Sequence, residues 1–325
     1  MTIGLILLLF ILVIVLIKSA DQVVIALRSI GHETHTKVFI LSAILLAIAT
    51  SFPELFVGIT SALQGTPNLS LGNVLGANIA NISLVAGLSA LVVGKVYVDR
   101  IILRHELWIA LAAGLLPFIL IIDGNLSRID GLILLACYGA YAASFFKDRF
   151  LQIAHRHRRE GYIHRFLRNF NHPQAGAIKA REMGRLFVGL AFLLFSSDLI
   201  VRVSLEIAHE AGIPIFLIGL ILLSLGTTLP ELAFSLRSLE DKEPTMFFGN
   251  LLGSIIANST LIVGLAATIS PIQVANPAGY IKVAIFFVIT FMSFWLFIRT
   301  KFILQRWEGA ALVLVYLIFV VVEFL

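Results

Sequence analysis

Long apolar runs dominate the chain, and its polar positions fall mostly between them. Ten runs are long enough to predict helices, at residues 3–27, 38–64, 69–93, 101–122, 128–146, 183–207, 214–239, 246–270, 279–299 and 306–324. A helix that crosses a bilayer needs roughly 20 mostly apolar residues, whereas a membrane β-strand alternates apolar and polar residues. The continuous runs therefore predict an all-α polytopic membrane protein with ten transmembrane helices.

Composition supports the same class. Of the 325 residues, 59% are apolar or aromatic, 13% are charged, and the mean hydropathy is +0.99. An average soluble domain is about 45–50% apolar and about 25% charged. The first run has no basic leader and no small-residue cleavage site before Lys18, so we expect it to remain as the first helix.

The two halves of the chain repeat one pattern at an offset of 177 residues. "ATSFPEL" (49–55) matches "GTTLPEL" (226–232), and "GNVLGANIAN" (72–81) matches "GNLLGSIIAN" (249–258). Over the 53 positions from residue 38 to residue 90, 21 are identical to the second copy without a gap. Each half has an odd number of crossings, so the second copy enters from the opposite side of the membrane. The sequence thus predicts two inverted five-helix repeats, an architecture typical of secondary transporters.

These features divide the chain into three parts. Residues 1–146 form the first repeat, whose duplicated region is 38–93, and residues 183–325 form the second, with 214–270 as its duplicated region. Residues 147–182 form a basic loop between them. If the amino terminus is outside, 20 of the 24 Lys and Arg residues fall in inside loops. The positive-inside rule then predicts that both termini are outside and that the 147–182 loop is cytoplasmic, in a prokaryotic plasma membrane.

The 147–182 loop contains five Arg and four His within residues 155–172. We interpret it as a segment that fixes topology and contacts anionic lipid headgroups. A pH or metal sensor is the alternative. Because membrane orientation accounts for the positive charge, we do not expect nucleic acid as a partner.

Each duplicated motif places a proline beside a carboxylate inside a predicted membrane helix. Pro53 and Pro230 have no N–H, so the carbonyl four residues earlier loses its helical partner. Such a backbone group is tolerated in a bilayer only where it faces protein or a water-filled cavity. We therefore predict helix breaks at both prolines near the midplane. Glu54 and Glu231 become candidate ligands for a transported ion, since ionisable residues within a span are functional candidates by default.

The other candidates are oxygen-bearing side chains and glycines. The hydroxyl and amide residues are Thr50, Ser51, Thr227, Thr228, Ser254, Asn81 and Asn258. We expect Gly72, Gly76, Gly249 and Gly253 to break regular helix and to allow close backbone approach. Neither His nor Cys lies among these residues, and such a set suits a hard cation such as Ca²⁺, which takes 6–8 oxygen ligands. Two carboxylates balance one Ca²⁺ or two Na⁺, which provides a basis for exchange at one shared site.

At these residues the chain resembles the cation/calcium antiporter superfamily, and most closely the sodium/calcium exchanger family. The resemblance covers nearly the whole chain. It implies a cluster of cation sites between the second, third, seventh and eighth helices, with Glu54 and Glu231 as central ligands. It also implies that the backbone carbonyls of Ala47 and Ser224 are ligands, and that the first and sixth helices slide across a fixed core.

The family function implied by this resemblance is a secondary antiporter that exchanges Ca²⁺ for Na⁺ by alternating access. We expect no enzyme activity and no cofactor, with the lipid bilayer and small inorganic cations as partners. Two departures affect the sodium coupling: sodium/calcium exchangers commonly have an acid at the position of Asn258 and a serine at that of Ala77. Proton-coupled exchange is therefore the first alternative. A cation channel and an intramembrane hydrolase are more distant alternatives.

Overall fold

A computed structural model describes residues 2–33, 50–98, 105–156, 175–274 and 277–324 of the chain. The helices of the first half are α1 (Thr2–Glu33), α2 (Phe52–Leu63), α3 (Pro67–Ala80), α4 (Ala86–Val93), α5 (Leu107–Leu120) and α6 (Arg128–Arg156). Residues Asn81–Val85 form a π-helical turn that joins α3 to α4. Residues 67–93 are therefore one long helix with a local widening.

The second half has the same order where both halves are described. Its helices are α7 (Ala175–Ala211), α8 (Ile215–Leu217), α9 (Ser224–Thr227), α10 (Leu229–Glu240), α11 (Pro244–Ile256), α12 (Val263–Ile269), α13 (Pro277–Lys301) and α14 (Arg306–Phe324). A π-helical turn at Ile218–Leu223 joins α8 to α9, and another at Ala257–Ile262 joins α11 to α12.

Helices are found at all ten positions that the apolar runs predicted, which confirms the all-α polytopic fold. Six spans in the described part are long and apolar enough to cross a membrane: Ile3–Val23, Pro67–Val93, Arg181–Ala211, Ile215–Glu240, Pro244–Ile269 and Gly279–Arg299. Shorter apolar helices, α2 and α5, occupy the second and fourth predicted runs. The residues before them, 34–49 and 99–104, lie outside the described ranges. The fifth and tenth runs are occupied by α6 and α14.

Two short antiparallel ribbons, which the sequence did not predict, join loops of the two halves. Strand β1 (Lys95–Tyr97) pairs with β4 (Ile303–Gln305), and β2 (Asn125–Leu126) pairs with β3 (Ile272–Gln273). At the 177-residue offset, the first residue of β1 corresponds to the first residue of β3. The two ribbons are therefore equivalent elements of the two repeats. In the ten-crossing topology each ribbon joins loops that belong to one side of the membrane, and the observed pairing agrees with that topology.

Glycines allow the close packing at the centre of the molecule. A Cβ atom on Gly72 would lie 2.2 Å from the carbonyl oxygen of Phe216, and one on Gly76 would lie 1.9 Å from that of Leu220. The backbone of α3 therefore touches the backbone that leads through the π turn Ile218–Leu223. Contacts this close are typical of small residues at the interfaces of membrane helices.

The prediction of helix breaks at the four glycines is wrong. Gly72 and Gly76 lie inside the uninterrupted helix α3, and Gly249 and Gly253 lie inside α11. A glycine costs a helix only about 1 kcal/mol relative to alanine, and the burial of α3 and α11 outweighs that cost. The irregular backbone follows the glycines and coincides with the π turns.

Helices α1 and α7 pack against each other along their length. Gly189 of α7 lies against Val23 and the carbonyl oxygen of Ser19 on α1. Large side chains on both helices face outward, and Leu7 and Phe187 are 60% and 77% exposed. The pair is therefore a peripheral layer beside the more buried α3 and α11.

Candidate cation site

A single residue outside regular helix precedes the helix that begins at each proline motif. Ser51, immediately before α2, has φ −87° and ψ 10°, and Thr228, immediately before α10, has φ −83° and ψ −1°. The backbone N–H of Leu55 donates to the Ser51 carbonyl at 3.0 Å, and that of Leu232 donates to the Thr228 carbonyl at 3.1 Å. The predicted breaks are thus sharp and equivalent in the two halves. Each proline occupies the first turn of a new helix, where its missing N–H removes no helical bond.

Both carboxylates lie in the first turn of the helices that begin there. Glu54 is 0% exposed and Glu231 is 1% exposed. They also lie close enough to each other for their charges to repel. The amino-terminal end of a helix carries a partial positive charge, which favours a carboxylate at this position. The fold therefore brings the two predicted acidic residues together in a dry environment.

Two hydrogen bonds tie each motif to the opposite half of the chain. The Thr50 hydroxyl donates to Asn250 Oδ1 at 2.9 Å, and the Thr227 hydroxyl donates to Asn73 Oδ1 at 3.1 Å. At the 177-residue offset, Thr50 is equivalent to Thr227, and Asn73 is equivalent to Asn250. Each bond is therefore the inverted copy of the other. The two interruptions are therefore held in equivalent ways, each by a bond to the opposite repeat.

A third contact exists on one side only. The Ser51 hydroxyl donates to the Ser254 hydroxyl at 3.4 Å. The inverted equivalents of these residues are Thr228 and Ala77, and Ala77 has no oxygen to offer. The Thr228 hydroxyl instead donates to the Ser224 carbonyl at 2.9 Å. The site is therefore pseudo-symmetric at the carboxylates and asymmetric at the flanking hydroxyls.

The amides of Asn81 and Asn258 lie on π turns beside the carboxylate motifs. Asn81 begins the turn Asn81–Val85, and Asn258 is the second residue of Ala257–Ile262. Both side chains are fully buried. The turn with Asn81 packs against α10, which begins at the Glu231 motif, and the turn with Asn258 packs against α2, which begins at the Glu54 motif.

Six buried side-chain oxygens of these four residues make no hydrogen bond to the described part of the chain. They are both carboxylate oxygens of Glu54, both of Glu231, and the amide oxygens of Asn81 and Asn258. The Thr227 hydroxyl, which donates to Asn73 Oδ1, lies beside the Glu54 carboxylate. Burying an unpaired carboxylate is costly, and buried charges in proteins are normally paired or bound to metal ions. Six oxygens are also the minimum that Ca²⁺ normally takes.

Two of the predicted ligands are backbone carbonyls, those of Ala47 and Ser224. Ala47 lies outside the described residues. The Ser224 carbonyl accepts bonds from the Thr228 N–H at 3.0 Å and from the Thr228 and Thr227 hydroxyls at 2.9 and 3.4 Å. In this conformation the Ser224 carbonyl oxygen therefore stabilises the interruption before α10.

Sequence reasoning left Asn73 and Asn250 out of the site, although the 177-residue offset matches them to each other as it matches the two threonines. Their role as acceptors for Thr227 and Thr50 is visible only when the halves are folded together. Ser259, whose hydroxyl accepts a hydrogen bond from Asn78 Nδ2 at 2.7 Å, had no signal in the repeat, because its equivalent is Ile82.

Comparison with known proteins identifies one family. The profile described as sodium/calcium exchanger protein matches residues 4–147 and again residues 182–325. Sodium/calcium exchanger MaX1 of Methanosarcina acetivorans is 28% identical over 336 residues, which cover 95% of each chain. Inner membrane protein YrbG of Escherichia coli is 29% identical over 266 residues, covering 81% of this chain and 79% of YrbG.

Solved structures give the same result. The sodium-calcium exchanger NCX_Mj, soaked with 100 mM Na⁺ and 10 mM Sr²⁺, matches with a TM-score of 0.61 and 27% identity over 98% of both chains. The same exchanger soaked with zero Na⁺ and Ca²⁺ matches with a TM-score of 0.59 and 26% identity. The similarity therefore extends across both repeats.

Proposed function

The chain belongs to the sodium/calcium exchanger family, and from this membership we propose that it exchanges Ca²⁺ for Na⁺ at one shared site by alternating access. Membership makes it a membrane-embedded cation antiporter, and Ca²⁺ and Na⁺ are the ions that the family transports. The site residues, the Na⁺ coupling and the absence of enzyme activity are parts of the proposal.

The observation that supports the shared site best is the pair of buried carboxylates, Glu54 and Glu231, whose oxygens make no hydrogen bond to the described residues. Two negative charges balance one Ca²⁺ or two Na⁺. The amide oxygens of Asn81 and Asn258 complete a set of oxygens that suits a hard cation. We propose that the hydroxyls of Thr50, Ser51, Thr227, Thr228 and Ser254 flank this set as further ligands or as supports for it.

A proton-coupled exchanger is the second candidate, and two residues favour it. Asn258 supplies no charge, and Ala77 supplies no hydroxyl to the side of the site that faces Thr228. A carboxylate in a dry site can carry a proton, because desolvation disfavours its charged form. In that mechanism Glu54 and Glu231 would release Ca²⁺ by binding protons.

Ion gradients applied to reconstituted protein test both candidates. In liposomes loaded with Na⁺, we expect dilution into Na⁺-free buffer to drive uptake of radiolabelled Ca²⁺ without a pH gradient. Uptake driven by a pH gradient alone, with no response to Na⁺, would replace sodium coupling with proton coupling. Passive Ca²⁺ flux that never couples to either gradient would indicate a channel. Liposomes without protein give the background.

We propose that Glu54 and Glu231 serve as ion ligands and not as the acid and base of a hydrolase. Among the described residues, no group of three or more His, Cys, Asp or Glu side chains is placed to hold a catalytic metal. The protein reconstituted in liposomes should exchange ions without consuming any added peptide or lipid substrate. Cleavage of a peptide or lipid that is lost in Glu54→Gln would contradict this part of the proposal.

A further inference from the structure

Asn78 of α3 makes two side-chain contacts with the π turn Ala257–Ile262. Its Nδ2 donates to the Ser259 hydroxyl at 2.7 Å, and its Oδ1 accepts from Asn258 Nδ2 at 3.3 Å. Asn78 is 1% exposed, and Asn258 and Ser259 are fully buried. These bonds connect the third helix of one repeat to the corresponding helix of the other, next to the carboxylate pair.

The direction of the Asn258–Asn78 bond determines what Asn258 offers to a cation. An asparagine amide carries an acceptor oxygen and a donor NH₂ group of similar shape. Since its NH₂ group donates to Asn78, the atom of Asn258 without a partner is the oxygen. That oxygen is buried and makes no hydrogen bond to the described residues. The opposite rotamer would present N–H groups, which repel a cation.

We propose that Asn78 is a positioning residue of the cation site, which orients Asn258 so that its amide oxygen faces the transported ion. This inference rests on the proposed function, because it requires a cation beside Glu54 and Glu231. It also deepens that function, since it explains how a neutral amide at position 258 can act as an oxygen ligand. A carboxylate at that position would present an oxygen in either rotamer and would need no such support.

The contact also breaks the symmetry of the repeats. The inverted equivalent of Asn78 is Ile255, and that of Ser259 is Ile82. Asn81, the equivalent of Asn258, makes no side-chain hydrogen bond to the described residues through either amide atom. Asn78 therefore supports only one of the two amides, that of Asn258.

A double-mutant cycle separates positioning from general structural support. We expect Asn78→Leu to weaken Ca²⁺ binding about tenfold or more, as the loss of a residue that orients a metal ligand typically does. In an Asn258→Asp background the same substitution should weaken binding less than about threefold, since either carboxylate oxygen can face the ion. Binding of Ca²⁺ to the full-length protein in detergent, followed by calorimetry, gives both ratios without relying on transport.

Two further variants complete the test. Ser259→Ala removes the other partner of Asn78 but leaves the bond to Asn258, and we expect a change of less than about threefold. If the leucine side chain does not fit at position 78, Asn78→Ala is used instead. The expected losses of Ca²⁺ affinity in the two backgrounds are the same. An equal loss in both backgrounds, or no loss in either, would overturn the positioning role. If the unmodified protein binds no Ca²⁺, the proposed function and the inference are both wrong. If it binds Ca²⁺ but Asn78→Leu has the same effect in both backgrounds, only the inference is wrong.

Discussion

At the scale of single residues, the proposed site depends on two acids whose carboxylates have no hydrogen-bond partner in the described part of the chain. Glu54 and Glu231 lie in the first turns of two helices, and both are buried. The sequence predicted both, because a carboxylate next to a proline occurs twice at one offset. It did not predict that Thr50 and Thr227 would each bind an asparagine of the opposite repeat, since only the folded chain brings residues 200 and 154 positions apart together.

We predict that Glu54→Gln and Glu231→Gln each abolish Ca²⁺ exchange. A unit charge is worth about 4 kcal/mol to another at 4 Å when the effective dielectric constant is about 20, so removing one should weaken Ca²⁺ binding by at least about 100-fold. Uptake into Na⁺-loaded liposomes and calorimetry of Ca²⁺ binding measure the effect. Glu240→Gln, on an exposed side chain at the end of α10, serves as the control and should leave both unchanged. Normal exchange by either site variant would reject the shared site.

At the scale of helices, the central packing depends on the glycines of α3 and on the π turns that face them. The sequence marked Gly72 and Gly76 for close approach, and the contacts with Phe216 and Leu220 confirm that part of the prediction. The helix breaks assigned to the same residues are absent, because tertiary packing keeps α3 regular. Intrinsic propensity is weak in comparison with burial, and so the sequence could not place the irregular turns.

We predict that Gly76→Ala destabilises the protein. Its new methyl group would lie 1.9 Å from the Leu220 carbonyl oxygen and 2.6 Å from the Ser224 hydroxyl, so α3 must move away from the π turn. Overpacking of this kind typically costs about 1–3 kcal/mol. Thermal unfolding in detergent should show a lower midpoint. Gly139→Ala on α6 is the matched control, because its methyl group meets no atom within 4 Å, and it should leave the midpoint unchanged or raise it.

At the scale of the whole molecule, the peripheral pair of α1 and α7 lies beside a more buried centre. One connection between the peripheral pair and the rest of the molecule is a hydrogen bond of 2.9 Å between the hydroxyls of Thr60 on α2 and Ser197 on α7. The family resemblance implies that the first and sixth helices slide across a fixed core. The Thr60–Ser197 contact would have to break during such a motion.

We predict that a disulfide at this contact stops transport. Thr60→Cys and Ser197→Cys, combined in a Cys137→Ser background, should form a disulfide on oxidation and block Ca²⁺ exchange, because α7 can then no longer move along α2. Reduction should restore exchange, and each single cysteine variant should be insensitive to oxidation. Full activity in protein that is cross-linked to completion would exclude sliding of α7 at this position.

The orientation of the molecule provides another prediction. If both termini are outside, as the positive-inside rule predicts, β1 and β4 should face the cytoplasm and β2 and β3 the exterior. In a Cys137→Ser background, Gln273→Cys should react with a membrane-impermeant maleimide in intact cells, whereas Tyr97→Cys should react only after lysis. Both side chains are exposed, so accessibility within the protein does not bias the comparison. The reverse labelling pattern would place the 147–182 loop outside.

The sequence alone determined the class, the ten helical positions, the inverted duplication and the two acids, because hydropathy and repeated motifs are properties of the linear chain. Only the tertiary structure decided how the halves meet: the crossed threonine–asparagine bonds, the two loop ribbons, the regular helices at Gly72 and Gly249, and the contact of Asn78 with Asn258. Each of these depends on atoms far apart in sequence, whose pairing follows from burial and close packing. "ATSFPEL" and "GTTLPEL" therefore supply the proposed ligands Glu54 and Glu231, and the fold determines which of the oxygens in these motifs lack a hydrogen-bond partner among the described residues.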